Sequence, residues 1–380
     1  MAANIERKPH LREQEIVYQV ELELKELLSS VPFVSEFSAE FNDGYGPDVG
    51  YDLLLKTAAN SKPYCLVIEV KSIGQPRNAR MAAAQLQRMI RNFIAHRTDF
   101  KKVYGIFAAP FVSENARKIC KEEGIGYIDL TGNCLISFDN IYIERFGFQK
   151  DAEKRELRSV FNDKASRIVR RLLSDPFRPW TVQELAKRSH VSIGLASQVK
   201  TKLFDSEILE RRDEMLVVAK PEQLLKDWAD SYRLKFKKHI AVEFYSPKKL
   251  QDIETEIIEY FKSNQTKYAF TLATAAKASG TQYVNQVNRI HAYVEGNANQ
   301  IGKELGLKEV DSGGNVVLMQ PFFTDILYLS QGAGLSIVSD IQLYLDFSAQ
   351  KGRIQETADI IFDTKILPQW EDLRSAGQSV

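Results

Sequence analysis

The stretch Gly50–Ser72, GYDLLLKTAANSKPYCLVIEVKS, decides how the first part of the chain is read. Two runs of strand character, YDLLLK and CLVIEVK, flank a polar AANSKP that reads as a hairpin connection. Side chains alternate faces along a strand, so Cys65, Val67, Glu69 and Lys71 share one face of the second run and Leu66, Ile68 and Val70 the other. Both faces carry apolar residues and are expected to be covered, yet a carboxylate and an ammonium point the same way near one end. Charge taken out of water is costly unless it is paired or bound to a metal, so Glu69 and Lys71 need partners. Asp52, on the preceding strand, is a second carboxylate that hairpin pairing can bring to the same edge. Taken alone, an E-V-K triplet also fits the solvated face of an edge strand, where charge discourages unwanted pairing. The surrounding pattern therefore has to decide.

Working outward, residues 1–150 alternate helix and strand signals. Glu13–Leu28 carries Ile16, Val17, Val20, Leu24, Leu27 and Leu28 at helical spacing. Phe33–Phe41 alternates like a strand, and NDGYGPD turns the chain into YDLLLK. After a loop over Ser72–Asn78, Ala79–Ala95 places Ala82, Leu86, Met89, Ile90 and Phe93 on one helical face, with Gln85 at its border. Val103–Val112, VYGIFAAPFV, reads as a strand buried on both sides. Ser113–Glu123 reads as a helix, and Gly126–Ile143 as two strands about Thr131-Gly132-Asn133.

This order and the set Asp52, then Glu69-Val70-Lys71, resemble the PD-(D/E)XK nuclease superfamily. The resemblance implies a mixed α/β sheet and a hydrolytic site in which Asp52, Glu69 and Val70 hold Mg2+ (or Mn2+). A hard cation of this kind takes oxygen ligands and keeps several waters, and Lys71 then orients the water or neutralises the phosphate. Gln85 corresponds to the glutamine of a Q-x-x-x-Y pattern in the RecB-like branch, of which half is present because position 89 is Met. As a border residue of a helix, Gln85 is equally at home on the surface. Asp48, four residues before Asp52, could compete as a ligand but is more simply a turn former after Pro47.

A second region differs in charge. The whole chain, 380 residues with a net charge of +1, advertises no polycation and is long enough for two or three domains. Residues 151–240, however, hold 20 Lys+Arg against 14 Asp+Glu, so positive charge is concentrated there. Ala165–Ser174 reads as a helix, Thr181-x-x-Glu184 as a capping box opening VQELAKRS, and Ser192–Leu203 as a third helix after a tight turn at His190-Val191. Two short strands around Arg212-Asp213-Glu214 complete a winged helix-turn-helix, expected over residues 151–235. On the third helix the spacing turns Ile193, Leu195, Ala196, Val199 and Leu203 to the core. Ser197, Gln198 and Thr201 face outward, where such residues approach base edges of double-stranded DNA. Lys200, Lys202, Arg211 and Arg212 are expected phosphate contacts. A protein-docking role for the same module would leave these side chains merely solvated.

Residues 236–380 read as an α+β domain without a triad, a phosphate-binding glycine loop or a metal-ligand cluster, and His291 as an ordinary strand residue. SDIQLYLDFSAQ opens on another capping box at Ser339. The phrases GYIDLTGNCLISFDNIYIERFG, FNDKASRIVRRLLSDP, SIGLASQVK and VSDIQLYLDFSAQKGR resemble AbiEi-type antitoxins of type IV toxin–antitoxin systems, in a form extended by the nuclease-like part. That resemblance implies a bacterial DNA-binding protein that represses its own promoter, with a homodimer and a cognate toxin or defence-system component as candidate partners. The three cysteines, Cys65, Cys120 and Cys134, are widely spaced and read as buried free thiols. With no apolar leader or membrane-length run, the expected setting is the cytoplasm. Two roles follow: a Mg2+-dependent endonuclease directed by the winged helix, or a transcriptional regulator using an idle nuclease fold as scaffold.

Overall fold

A computed structural model describes residues 13–41, 51–96, 102–147, 160–236, 239–281, 288–327 and 335–377. In the first unit, Met1–Lys154 with Phe204–Glu207, the elements run α1 (Glu13–Ser29), β1 (Val34–Phe41), β2 (Leu53–Ala59), β3 (Lys62–Val70), α2 (Pro76–His96), β4 (Lys102–Ala109), α3 (Glu114–Glu122), β5 (Gly126–Asp129), β6 (Cys134–Phe138) and β7 (Ile141–Arg145). The seven strands form one sheet in chain order. It is mixed: β3, β4 and β5 run parallel, and the other neighbours antiparallel.

The central hairpin is longer than its sequence suggests. Ala58 pairs with Pro63 and Ala59 with Lys62, so the connection is only Asn60-Ser61, both at positive φ (49° and 60°). A two-residue turn of this hand matches the strand twist, which lets the ladder continue to its end. Likewise Gly126–Ile143 holds three strands and not two, because Asp139, at φ 50°, turns β6 into β7. Asp48 and its loop lie outside the described residues.

β3 lies between β2 and β4, so it is a central strand and not an edge. Leu66, Ile68 and Val70 pack with Ile16, Val20 and Leu24 of α1, while Cys65 and Val67 pack with Ala79, Ala82, Leu86 and Met89 of α2. The alternation thus puts Glu69 and Lys71 on the α2 face. All three cysteines are buried and free. Burial pushes the Cys120 thiol up to about 12, which removes it as a nucleophile.

The second unit, Arg155–Leu203 with Ile208–Val380, is α+β. It holds α4 (Asp163–Ser174), α5 (Val182–Arg188), α6 (Ile193–Asp205, to Leu203), β8 (Leu209–Arg212), β9 (Met215–Val218) and α7 (Pro221–Lys235). There follow β10 (Ile240–Tyr245), α8 (Leu250–Ser263), β11 (Tyr268–Phe270), α9 (Leu272–Ala278), β12 (Ile290–Val294), α10 (Ala298–Glu304), β13 (Lys308–Glu309), β14 (Val316–Gln320) and α11 (Asp340–Ser348). Its five-stranded sheet has the order β11-β12-β14-β10-β13, with β12 and β14 parallel. Among the described residues no helix is long and apolar enough to cross a membrane.

Candidate functional site

Strand register assembles Asp52, Glu69, Lys71 and Gln85. Leu53 pairs with Ile68, so one step further Asp52 lies opposite Glu69. The Asp52 N–H donates to Ile68 O at 3.0 Å, and its Oδ2 accepts the Val70 N–H at 2.6 Å. That charge-assisted bond fixes the Asp52 carboxylate against the main chain between Glu69 and Lys71. Glu69 is only 2% exposed. Its Oε2 accepts from Gln85 Nε2 at 2.8 Å, and its Oε1 accepts from the Lys71 ammonium. Lys71 keeps 29% of its side chain exposed. Its own N–H is tied to Ala108 O at 2.9 Å, so the backbone beneath it is rigid.

Gln85 reaches Glu69 because the loop before α2 is pinned. A Cβ at Gly74 would stand 2.0 Å from Phe111 O, so only glycine permits the approach that lets Ser113 N–H donate to Gly74 O at 2.9 Å. Pro76 then opens α2, and Ala82, Leu86 and Met89 seat it on the sheet with Gln85 at the border of that face.

In donor type the site fits a hard cation. Asp52 and Glu69 supply carboxylate oxygens, and Val70, whose N–H is engaged by Asp52, has its carbonyl to offer. Among the described residues no group of three or more His, Cys, Asp and Glu side chains is placed to hold a metal. An ion here would therefore complete its shell with water, and would compete with the Lys71 ammonium for Glu69.

Helices form over Asp163–Ser174, Val182–Arg188 and Ile193–Asp205, followed by the strand pair Leu209–Arg212 and Met215–Val218. Thr181 accepts the Glu184 N–H at 3.1 Å, and the Glu184 side chain, instead of closing the box, pairs with Arg178 and Arg188. Trp180 exchanges two 2.8 Å main-chain bonds with Leu216, adding a third segment to the wing. On α6, Ala196, Val199 and Leu203 are buried, whereas Ile193 is 57% exposed and Leu195 half-buried. Ile193 is thus no core residue: it sits in the first turn, before the helix is backed by its neighbours. Gln198 and Thr201 are exposed, and Ser197, Lys200 and Lys202 half-buried. The Thr201 hydroxyl donates back to Ser197 O at 3.1 Å. Arg211 and Arg212 are exposed and pair with Glu214 (3.3 Å) and Glu210 (2.5 Å), so each wing guanidinium already has an acidic neighbour.

One polar cluster escaped the sequence reading. Asp346, fully buried on α11, accepts on Oδ1 from Tyr232 (2.6 Å), Gln342 Nε2 (2.8 Å) and Tyr293 (2.9 Å), and on Oδ2 from Thr271 (2.5 Å). Gln342 Oε1 in turn accepts from buried Arg170 at 2.7 Å. His239 Nδ1 accepts the Phe322 N–H at 2.9 Å, which leaves Nε2–H to donate to the Tyr232 oxygen at 3.1 Å. Burial raises the Asp346 carboxyl, against the pull of its four donors, and lowers His239 to about 4. The available signal was an aspartate inside the apolar run LYLDF, one turn after Gln342.

Against known proteins, residues 217–367 match the family described as "Transcriptional regulator, AbiEi antitoxin, Type IV TA system". The matched stretch lies in the second part of the chain and includes Tyr232, His239, Thr271, Tyr293, Gln342 and Asp346. One solved structure, titled "Structure of EndoMS in apo form", is similar at 17% identity over 33% of this chain, with a TM-score of 0.21. The match spans about half (48%) of that chain's length. No curated protein matches in sequence.

Proposed function

We propose that this chain is a DNA-directed phosphodiesterase, a Mg2+-dependent endonuclease (Mn2+ serving in its place) whose winged helix engages duplex DNA. One observation carries the reading: Glu69, 2% exposed, is gripped by an ammonium and an amide at the strand position opposite Asp52. A retired site has no reason to keep such charges together near a core. A cation held by Asp52, Glu69 and Val70 would acidify a water and offset charge on the phosphate. Gln85 orients Glu69 through Oε2, and the Val70 N–H orients Asp52. Lys71, part exposed, can leave Glu69 for the water or a phosphate oxygen. The test is incubation with plasmid and Mg2+ or Mn2+. We expect cleavage by wild type, none by Lys71→Ala with cation binding retained, and loss of both in Asp52→Ala. Absence of cleavage together with a melting temperature indifferent to the cation would end this reading.

The family match over residues 217–367 favours a second reading, an antitoxin-type transcriptional repressor that uses the first unit as scaffold and answers to a cognate toxin. Both readings need DNA, and both suit the cytoplasm. Gln198→Ala should weaken discrimination between sequences, whereas Lys200→Ala or Arg212→Ala should weaken all binding and reduce the salt slope by about 1 per phosphate contact. Binding without cleavage, abolished by the helix variants, would decide for the repressor.

A further inference from the structure

α1 and α2, two of the three helices packed on the seven-stranded sheet, carry opposite charge, while α3 on the α2 face is mixed. α1 has five glutamates and one lysine, whereas α2 has four arginines and no acidic residue in 21 positions. They lie on opposite faces, α1 with Leu66, Ile68 and Val70, α2 with Cys65 and Val67. The first unit is therefore polarised across its sheet, and the positive side is the side of Glu69, Lys71 and Gln85.

The arginines of α2 are also ordered. At 100° per residue Arg77, Arg80, Arg88 and Arg91 fall within an arc of about 80°, opposite the buried face. All four are exposed. Arg77 faces Asp205 at 3.8 Å and Arg80 pairs with Glu207 at 2.9 Å. Among the described residues no carboxylate pairs with Arg88 or Arg91. Arg77 and Arg80 are thus met by acidic residues of the chain itself, and the pair that a polyanion can engage is Arg88 and Arg91. Arg88 and Arg91 stand about 4.5 Å apart along the axis, within reach of successive phosphates that rise about 3.4 Å each along one strand.

We propose that the outward face of α2, centred on Arg88 and Arg91, is a track for the phosphate backbone of duplex DNA. It flanks the Glu69 site. This rests on the DNA reading above, and it adds how the duplex is held beside the first unit: by sequence-independent contacts, on the helix that also supplies Gln85.

The experiment measures duplex affinity of the full chain against salt for wild type, Arg88→Ala/Arg91→Ala, Arg88→Glu/Arg91→Glu and Arg88→Lys/Arg91→Lys, on two unrelated duplexes. Both arginines are exposed, so melting temperatures should not move. We expect the alanine pair to lower the salt slope by about 1.8, from 0.9 per phosphate contact. The loss should be equal on both duplexes, the glutamate pair should lose more, and the lysine pair should retain the slope. An unchanged slope in the glutamate pair, as a face made for an acidic protein would give, overturns the track while leaving the DNA reading intact. Wild type that binds neither duplex at low salt removes both.

Discussion

Glu69 and Asp346 are both carboxylates withdrawn from water, and the protein satisfies them in opposite ways. Glu69 sits at the end of β3 with a cation on one oxygen and an amide on the other, and the cation is partly in solvent. Among the described residues no cation donates to Asp346; three hydroxyls and an amide, drawn from α7, β12, the residue before α9 and α11 itself, surround it. A charge balanced by a movable ammonium can be handed to a ligand. A charge solvated by fixed neutral dipoles cannot be moved without undoing the packing that holds those dipoles. The first arrangement suits chemistry and the second suits architecture.

The largest expected effect tests the second half of that contrast. Asp346→Ala strands the donors of Tyr232, Tyr293, Thr271 and Gln342 and should cost about 3–5 kcal/mol in urea unfolding. Asp346→Asn, which keeps one acceptor, should cost about 1–3 kcal/mol and covers the case in which the alanine chain does not fold. A loss below about 1 kcal/mol in both would mean that the cluster is no keystone.

Acid should find the same region next. His239 and His291 are both held down to about 4 by burial, from an ordinary 6.5. The unfolded chain therefore takes up protons near pH 6.5 and the folded chain only near 4. Stability is highest above 6.5 and falls as the pH drops through that window, by up to about 3 kcal/mol for each histidine. Asp346 acts in the opposite sense, because its raised carboxyl protonates in the folded chain before it would unfolded. Melting temperatures from pH 7.5 to 4.5 should show a net fall that His239→Gln makes shallower. A parallel curve for that variant would remove His239 from the account.

Lys71→Ala probes the first half. Without a divalent cation it takes the ammonium from a carboxylate that is 2% exposed, and should lose about 1–3 kcal/mol. Mg2+ or Mn2+ should recover most of that loss and stabilise the variant more than wild type, since the ion takes the place of the ammonium. Equal response of the two proteins would show that Glu69 is committed to an ion pair.

The difference between the two clusters also explains what could be read in advance. Glu69 and Lys71 were legible because period-2 alternation puts them beside Cys65 and Val67, where charge is out of place, and one hairpin supplies Asp52. Five residues of local pattern were enough. The Asp346 cluster draws on residues from Arg170 to Asp346, brought together by tertiary packing, and tyrosine, threonine and glutamine do not look misplaced in their own segments. Ile193 was misread for a related reason: helical spacing names a face, but whether a first turn is covered depends on what lies beyond it. The turn lengths at Asn60-Ser61 and Asp139 depended on residues adopting positive φ without glycine, which pattern alone does not announce.

The smallest effects come from making the same deletion in both places. Gln85 and Gln342 each donate an amide proton to a buried carboxylate, at 2.8 Å in both cases. Gln85 is half-buried at the rim of its site, so in Gln85→Ala a water can take over the bond to Oε2, and the cost should be about 0.5–1 kcal/mol. Gln342 is 1% exposed and also receives Arg170, so Gln342→Ala removes a second buried hydrogen bond and should cost about 2–3 kcal/mol. Combining Gln85→Ala with Lys71→Ala should give a loss different from the sum, because both act through Glu69. Gln85→Ala combined with Gln342→Ala should simply add. Equal costs for the two glutamines, or additivity of Gln85 with Lys71, would mean that Glu69 is as firmly built in as Asp346, and the division into a working cluster and a structural one would have to be given up.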